Sequence, residues 1–255
     1  MFGVGGAVIS TPAIRALGAS PMEALASTLP SIVPSSISGA LRYHREGFVN
    51  WGIVRWTGLS GALFAVVGAL SSQAVPGDGH FLMVITAGLV GFTAFRMTQS
   101  PDRPDPADAE EVAPSKDPDL IDIAPAAGKP HDEPWKFVVI GCGAGLLSGL
   151  LGIGGGLVMV PAFTGWVKLD IKAAIGTSLA CVGILAIPGM ITHQILGNIN
   201  WFYALPLCIA VIPGARVGAH LAIRAHEHRL RLIVASGLGL IALMYGVGEI
   251  IVLIR

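Results

Sequence analysis

One glycine-rich phrase occurs twice in this chain, and it limits the folds open to it. Phe2-Gly3-Val4-Gly5-Gly6-Ala7, followed by Pro12, returns as Leu151-Gly152-Ile153-Gly154-Gly155-Gly156, followed by Pro161. Thr28 aligns with Thr177 at the same offset of 149. With one residue gained, Gly39 aligns with Gly189, Gly47 with Gly197, Asn50-Trp51 with Asn200-Trp201, and Gly68-Ala69 with Gly218-Ala219. Each glycine costs a helix interior roughly 1 kcal/mol relative to alanine. Four of them within residues 152–156 therefore predict a break in the helix that carries them. A break written twice predicts two copies of one unit.

The surroundings of the phrase set the solvent. Hydrophobic residues make up 53% of the chain and charged ones 13%, with a mean hydropathy of +0.71. A soluble domain carries about 25% charge, so this chain cannot coat itself for water. Its apolar stretches reach the roughly 20 residues that cross a bilayer as helix. Spans are expected at 22–42, 50–72, 79–97, 136–163, 171–196, 200–223 and 229–254. The fold class expected is all-α: a polytopic membrane protein of two repeats of four helices. The stretch 1–17 is too short to cross unaided, and no cleavable signal peptide is visible. An apolar run, Trp135 to Leu150, precedes the second glycine phrase, whereas Met1 stands directly before the first. The first helix therefore reads as truncated, with its start upstream of Met1.

Residues 98–134 hold ten acidic residues, three basic ones and eight prolines. That composition buries too little apolar surface to fold and reads as a disordered linker. The chain thus divides into a first repeat (1–97), a linker (98–134) and a second repeat (135–255). Four helices per copy imply parallel copies, unless the glycine segments are re-entrant. On that count, the positive-inside rule places the loops bearing Arg15, Lys168, Lys172, Arg224, Arg229 and Arg231 in the cytoplasm and the linker outside.

Several function classes drop out. A net charge of zero argues against a nucleic-acid partner. Cys142, Cys181 and Cys208 lack metal-ligand spacing and read as small core residues. His220, His226 and His228 straddle a basic loop with Glu227 as the one nearby carboxylate, which is a poor metal set. The glycine phrase lacks the Gly-Lys-Ser/Thr ending of a phosphate-binding loop, and Leu157 stands where a dinucleotide loop needs glycine. No paired catalytic groups fall inside the spans. Neither cofactor nor enzymatic activity is expected.

What remains points to an anion. A helix broken inside a membrane frees backbone N–H groups, and the half-helix that follows adds its positive end. The competing reading has the glycines only bring helices close. Pro12 and Pro161 predict a further bend, and Pro206 and Pro213 predict an interruption of the span at 200–223. Arg216 falls about midway through an apolar span, where a charge costs at least about 2.5–3.5 kcal/mol. It needs water, a partner or an anion, or else its stem must snorkel outward. For Arg55, nearer its helix start, snorkelling is the better reading. Thr28, Thr177 and Ser178 offer hydroxyls to a substrate or to their own carbonyls. His193 reads as a packing residue or a proton relay. Asn50-Trp51 and Asn200-Trp201 read as helix caps with interfacial anchors.

The duplicated phrase, with Gly176-Thr177-Ser178-Leu179, Gly197-Asn198-Ile199-Asn200-Trp201 and Pro213-Gly214-Ala215-Arg216-Val217-Gly218-Ala219, resembles the sulfite exporter (TauE/SafE) family of membrane permeases. The resemblance covers both halves and implies a multi-pass permease of the bacterial inner membrane. Such permeases have about eight helices in two related halves and move sulfite, sulfoacetate or other small organic anions, often outward. Carried over, it makes Gly3, Gly5, Gly6, Thr28, Gly152, Gly154, Gly155, Gly156, Thr177, Ser178 and Arg216 the candidate substrate-binding set. The first copy departs at Ala7 and at Ser27-Thr28-Leu29-Pro30, so the two copies are expected to contribute unequally. The function expected is a secondary transporter exporting a small anion, with the bilayer and that anion as partners. A passive anion pore and a non-transporting scaffold are the alternatives.

Overall fold

The computed structural model describes residues 7–75, 79–99 and 134–224, and the positions 236–237, 239–240 and 242–243. Gly3, Gly5 and Gly6, the core of the linker, His226, His228 and most of the span expected at 229–254 lie outside the described residues. The described chain is helical: α1 (Ala7–Ala16), α2 (Pro21–Arg45), α3 (Trp51–Ser71), α4 (His80–Gln99), α5 (Pro134–Leu151), α6 (Gly156–Gly165), α7 (Ile171–Ile195) and α8 (Trp201–Arg224). Four of them (α2, α5, α7, and α3 with its 3₁₀ extension to Ala74) are long and apolar enough to cross a membrane. The span expected at 136–163 is divided at the glycines into α5 and α6. By contrast, α8 runs unbroken through Pro206 and Pro213, and α1 and α6 contain Pro12 and Pro161. The expected proline interruption of α8 does not occur.

Local chemistry explains the helix ends. Ser20 and Glu23 form a capping box, with Ser20 Oγ accepting from Glu23 N and Glu23 Oε2 accepting from Ser20 N at 2.9 Å. Asn50 Oδ1 accepts from Gly52 N and Ile53 N, and Asn200 Oδ1 from Phe202 N at 3.1 Å. Before each asparagine the chain leaves a helix through a left-handed glycine, Gly47 (φ +76°) or Gly197 (φ +73°). Each following tryptophan donates from its indole to the preceding helix, Trp51 to His44 Nδ1 and Trp201 to Gln194 Oε1. The same corner is built at 44–53 and at 194–203.

These corners correct the register of the sequence alignment. Helices α2 and α7 have 25 residues each and start 150 positions apart, so Thr177 is matched by Ser27 and Ser178 by Thr28. The extra residue lies earlier, in the loop 166–170, which is one longer than 17–20. The hydrogen bonds agree. Asn200 N donates to Ser27 Oγ (2.9 Å), and Asn50 N donates to Thr177 Oγ1 (3.1 Å). Each half thus holds the corner of the other.

Helices α2 and α7 cross antiparallel, with Ser36 against Gly183, Gly39 against Leu179 and Tyr43 against Gly176. Helix α3 runs parallel to α7, from Asn50 beside Thr177 to Gly61 beside Leu185. It also runs parallel to α5, from Thr57 beside Gly141 to Ala65 beside Gly149. Helices α5 and α7 therefore descend together, and the segment between them must climb back. Gly155 packs against Ala144, which shows the turn. The glycine segment is re-entrant, the condition under which parallel copies are not required, and the matched helices α2 and α7 are antiparallel.

This arrangement changes the sorting of charge. The end of α2 and the starts of α5 and α7 share one face, which gathers Arg42, Arg45, Lys136, Lys168 and Lys172. Arg15 bonds the carbonyl of Ala19 beside the start of α2, at the opposite face. The expectation that grouped Arg15 with Lys168 and set the linker against both fails, because the hairpin reverses the count of crossings. The linker's end at Pro134 opens on the basic face.

The apolar interior also holds a set of hydroxyl side chains, while large apolar side chains cover the outside. Ser27, Thr28, Ser31, Ser36, Thr57, Ser148, Thr177 and Ser178 are buried, while Leu59, Leu63, Phe202 and Ile209 face outward. Lipid tails are as apolar as leucine, so helices adhere by close approach rather than by hydrophobic burial. The tightest seam joins α3 to α5, where a Cβ on Gly145 would strike the carbonyl of Gly61 and one on Gly149 that of Ala65. Gly143, on the same helix, has open space beside it. Gly145→Leu should lower the melting temperature of the detergent-solubilised protein, by an overpacking cost of about 1–3 kcal/mol or more. Gly143→Ala should be neutral or mildly stabilising. Equal melting of the two variants would contradict the close seam.

Candidate functional site

The candidate site is the turn between α5 and α6. Gly152, Gly154 and Gly155 adopt φ of +65°, +79° and +69°, a region that side chains with a Cβ rarely enter. Space forbids a Cβ as well. At Gly152 it would strike the carbonyl of Leu25, and at Gly155 it would lie 2.6 Å from that of Ala144. Gly154 is clasped between Ile32 of α2 and Val182 of α7, each 3.1 Å from where its Cβ would stand. Ile32 and Val182 are both the twelfth of 25 residues in their helices. The turn therefore reaches mid-depth of the bundle, where its two central helices cross.

Inside lipid a free backbone group costs several kcal/mol unless it is buried in protein or lines a wet cavity. Gly152 N still donates to Ser148 O (2.9 Å), and Gly152 O accepts from Thr28 Oγ1 (3.0 Å), which also bonds Leu25 O (2.7 Å). Beyond it, no described residue accepts from the N–H groups of Ile153, Gly154, Gly155, Gly156 and Leu157, all of them buried residues. Ser148 Oγ, one turn before, is likewise buried without a described partner. The half-helix α6, which opens with Gly155 as its cap, adds its positive end to this row of donors. Such an arrangement can hold a small anion through backbone groups alone.

The candidate residues divide. Gly152, Gly154, Gly155 and Gly156 form the turn, and Thr28 is bonded to it. Thr177 instead accepts from Asn50 N, and Ser178 Oγ donates to Ile175 O (2.9 Å) as a local back-bond. Arg216 lies in α8, but its side chain is outside the described residues, as are Gly3, Gly5 and Gly6 entirely. His193 is buried and packs, with Nε2 2.7 Å from Gly149 O and Nδ1 3.2 Å from Asn198 Nδ2, tying the end of α7 to α5. Sequence reasoning missed Ser27 and Ser148. The duplicated Asn-Trp pairs were the signal for Ser27, because a corner built twice implies a holder in each half. Nothing distinguished Ser148 from other serines.

A model of the family described as sulfite exporter TauE/SafE matches residues 1–245. The chain belongs to that family. Its relatives include the probable membrane transporter protein YunE of Bacillus subtilis, 25% identical over 240 residues that cover 87% of this chain and 81% of YunE. YdhB of the same organism, also named a probable membrane transporter protein, is 26% identical over 224 residues, 85% of this chain and 82% of its own length. A probable membrane transporter protein of Methanocaldococcus jannaschii, MJ0441, is 28% identical over 122 residues, 44% of this chain and 45% of its own. No solved structure matches. This TauE/SafE protein is therefore a multi-pass membrane protein of a transporter family.

The Thr28 hydroxyl is the one side-chain tie between α2 and the turn given by the described hydrogen bonds. Thr28→Val keeps the shape but leaves Gly152 O without that donor, a loss of about 1–3 kcal/mol. It should lower thermal stability and speed hydrogen exchange at residues 152–157. Thr28→Ser should retain most of the stability, and Ser178→Ala should cost about 1 kcal/mol or less. If Thr28→Val behaves like Ser178→Ala, Thr28 is not what holds the turn.

Proposed function

We propose that this protein is a secondary transporter that exports a small oxyanion, with sulfite, sulfoacetate or another organosulfonate as the substrate class, across the bacterial inner membrane. The observation that carries this reading is the buried row of N–H groups at mid-depth, from Ile153 to Leu157, for which no described residue is an acceptor. These donors bind the anion, with Gly152, Gly154, Gly155 and Gly156 allowing its approach. Thr28 holds the turn in place, and Arg216 supplies counter-charge from α8. Gly3, Gly5 and Gly6 of the first repeat, with Thr177 and Ser178 of the second, form the corresponding and unequal half-site. The family description and the relatives' names support transport as the class.

The mechanism is alternating access between two inverted repeats, 1–97 and 135–255, joined by the linker 98–134. The antiparallel crossing of α2 and α7 and the reciprocal bonds of Asn50 and Asn200 support that symmetry. Rocking of one repeat against the other about this crossing exposes the glycine turn to each side alternately. The basic face with Arg42, Arg45, Lys168 and Lys172 is cytoplasmic under the positive-inside rule. A negative interior favours anion exit by about 2.3 kcal/mol per charge per 100 mV.

Reconstituted protein should take up sulfite or sulfoacetate with saturation and with competition between anions. Gly154→Val, which places a branched side chain against Ile32 and Val182, should cut that uptake at least tenfold. Arg216→Ala should do likewise while leaving the protein folded. Conductance without saturation would establish a pore instead. Wild-type flux in Arg216→Ala would remove the arginine from the site, and wild-type flux in Gly154→Val would remove the turn.

A further inference from the structure

A second polar cavity lies away from the glycine turn, between the ends of α2 and α8. It measures about 470 Å³ and is lined by Ser38, Leu41, Arg42, Arg45 and His220. Arg42 reaches Glu46 Oε1 with Nη2 at 2.8 Å, but its Nε is buried and has no described partner. Ser38 Oγ is in the same condition. Among the described residues, two guanidinium groups and an imidazole thus face the cavity region, with one carboxylate, Glu46, beside them. The lining is rich in donors and poor in acceptors.

Packing does not require this charge. The matching positions of α7, 150 residues on, are Pro188, Ile191, Thr192 and Ile195, and Leu70 of α3 matches His220. None of these matching positions carries an ionisable group. The cavity also lies near the end of α2, close to a tryptophan of the kind enriched at bilayer interfaces. Trp51, with its ring half-exposed, anchors the corner just beyond it through His44. Leu41 at the cavity's rim and Ile37, one turn back along α2, are each about half exposed, and Val217 is 58% exposed on α8. A phosphate-sized basic pocket thus opens beside a strip of apolar surface.

We infer that this cavity binds the phosphodiester headgroup of an anionic phospholipid, with Arg42 and Arg45 on the phosphate and the acyl chains along Ile37 and Leu41. Arginine suits phosphate because its planar fork can donate two parallel hydrogen bonds. Basic pockets between membrane helices are a recognised site for such headgroups. The apolar strip favours a lipid over a free anion, which would gain nothing from it. The site is separate from the proposed transport site and stands independently of it.

The test uses the full chain purified with phosphatidylglycerol or phosphatidylcholine and analysed by native mass spectrometry and thermal melting. Wild-type protein should retain phosphatidylglycerol in preference to phosphatidylcholine and melt higher with it. Arg42→Gln/Arg45→Gln should lose at least fivefold of the retained phosphatidylglycerol and most of that rise. Arg45→Gln alone, at an exposed position, should show a partial loss and guards against misfolding of the double variant. Equal retention by wild type and both variants would overturn the site. Displacement of the lipid by millimolar inorganic phosphate, with the same melting increase, would overturn the lipid assignment in favour of a soluble anion.

Discussion

Every backbone polar group in this molecule must find a partner without help from solvent, and the rest of the structure follows from that demand. Lipid supplies no hydrogen bonds, so the described chain is helix wherever it crosses the bundle. The one departure at depth, residues 152–155, survives because α2, α5 and α7 enclose it. Its first carbonyl is satisfied by Thr28, and its N–H row has no acceptor among the described residues. In a member of a transporter family such a row supports the proposed anion site, built from main chain rather than side chains.

Glycine has two different jobs here. At Gly152, Gly154 and Gly155 it permits backbone angles and approaches that a Cβ would forbid. At Gly141, Gly145 and Gly149 it lets α5 lie against the backbone of α3. The sequence treated these as competing explanations of one phrase. They are neighbours along the same segment, since the seam holds α5 while the turn at its end departs from the helix. Close packing without a hydrophobic drive makes the second job a precondition of the first.

The two-fold character of the molecule is expressed in its corners. Asn50 and Asn200 each cap a helix in their own half and donate their backbone N–H to a hydroxyl in the other. Cap and cross-link share one residue, which couples the geometry of the halves at two matched points. The crossing of α2 and α7 lies between those points, beside Gly154. The proposed anion site thus adjoins the contact between the halves.

The sequence by itself determined the class of the protein, its helices and the position of the break. Those follow from hydropathy, from glycine's cost in a helix and from caps such as Asn50 and Asn200, all of which act within a few residues. The family could be read for the same reason, because its motifs are local strings. Register, direction and partnership were decided only by tertiary structure. Whether α6 continues or turns back changes no residue of α5, yet it reverses α7 and moves Lys168 and Lys172 to the face of Arg42. Likewise, Thr177 and Thr28 look alike as strings. One meets Asn50 and the other the glycine turn because an antiparallel crossing sets which end of each helix meets which neighbour. That choice rests on contacts between residues more than a hundred positions apart, and no local pattern encodes them.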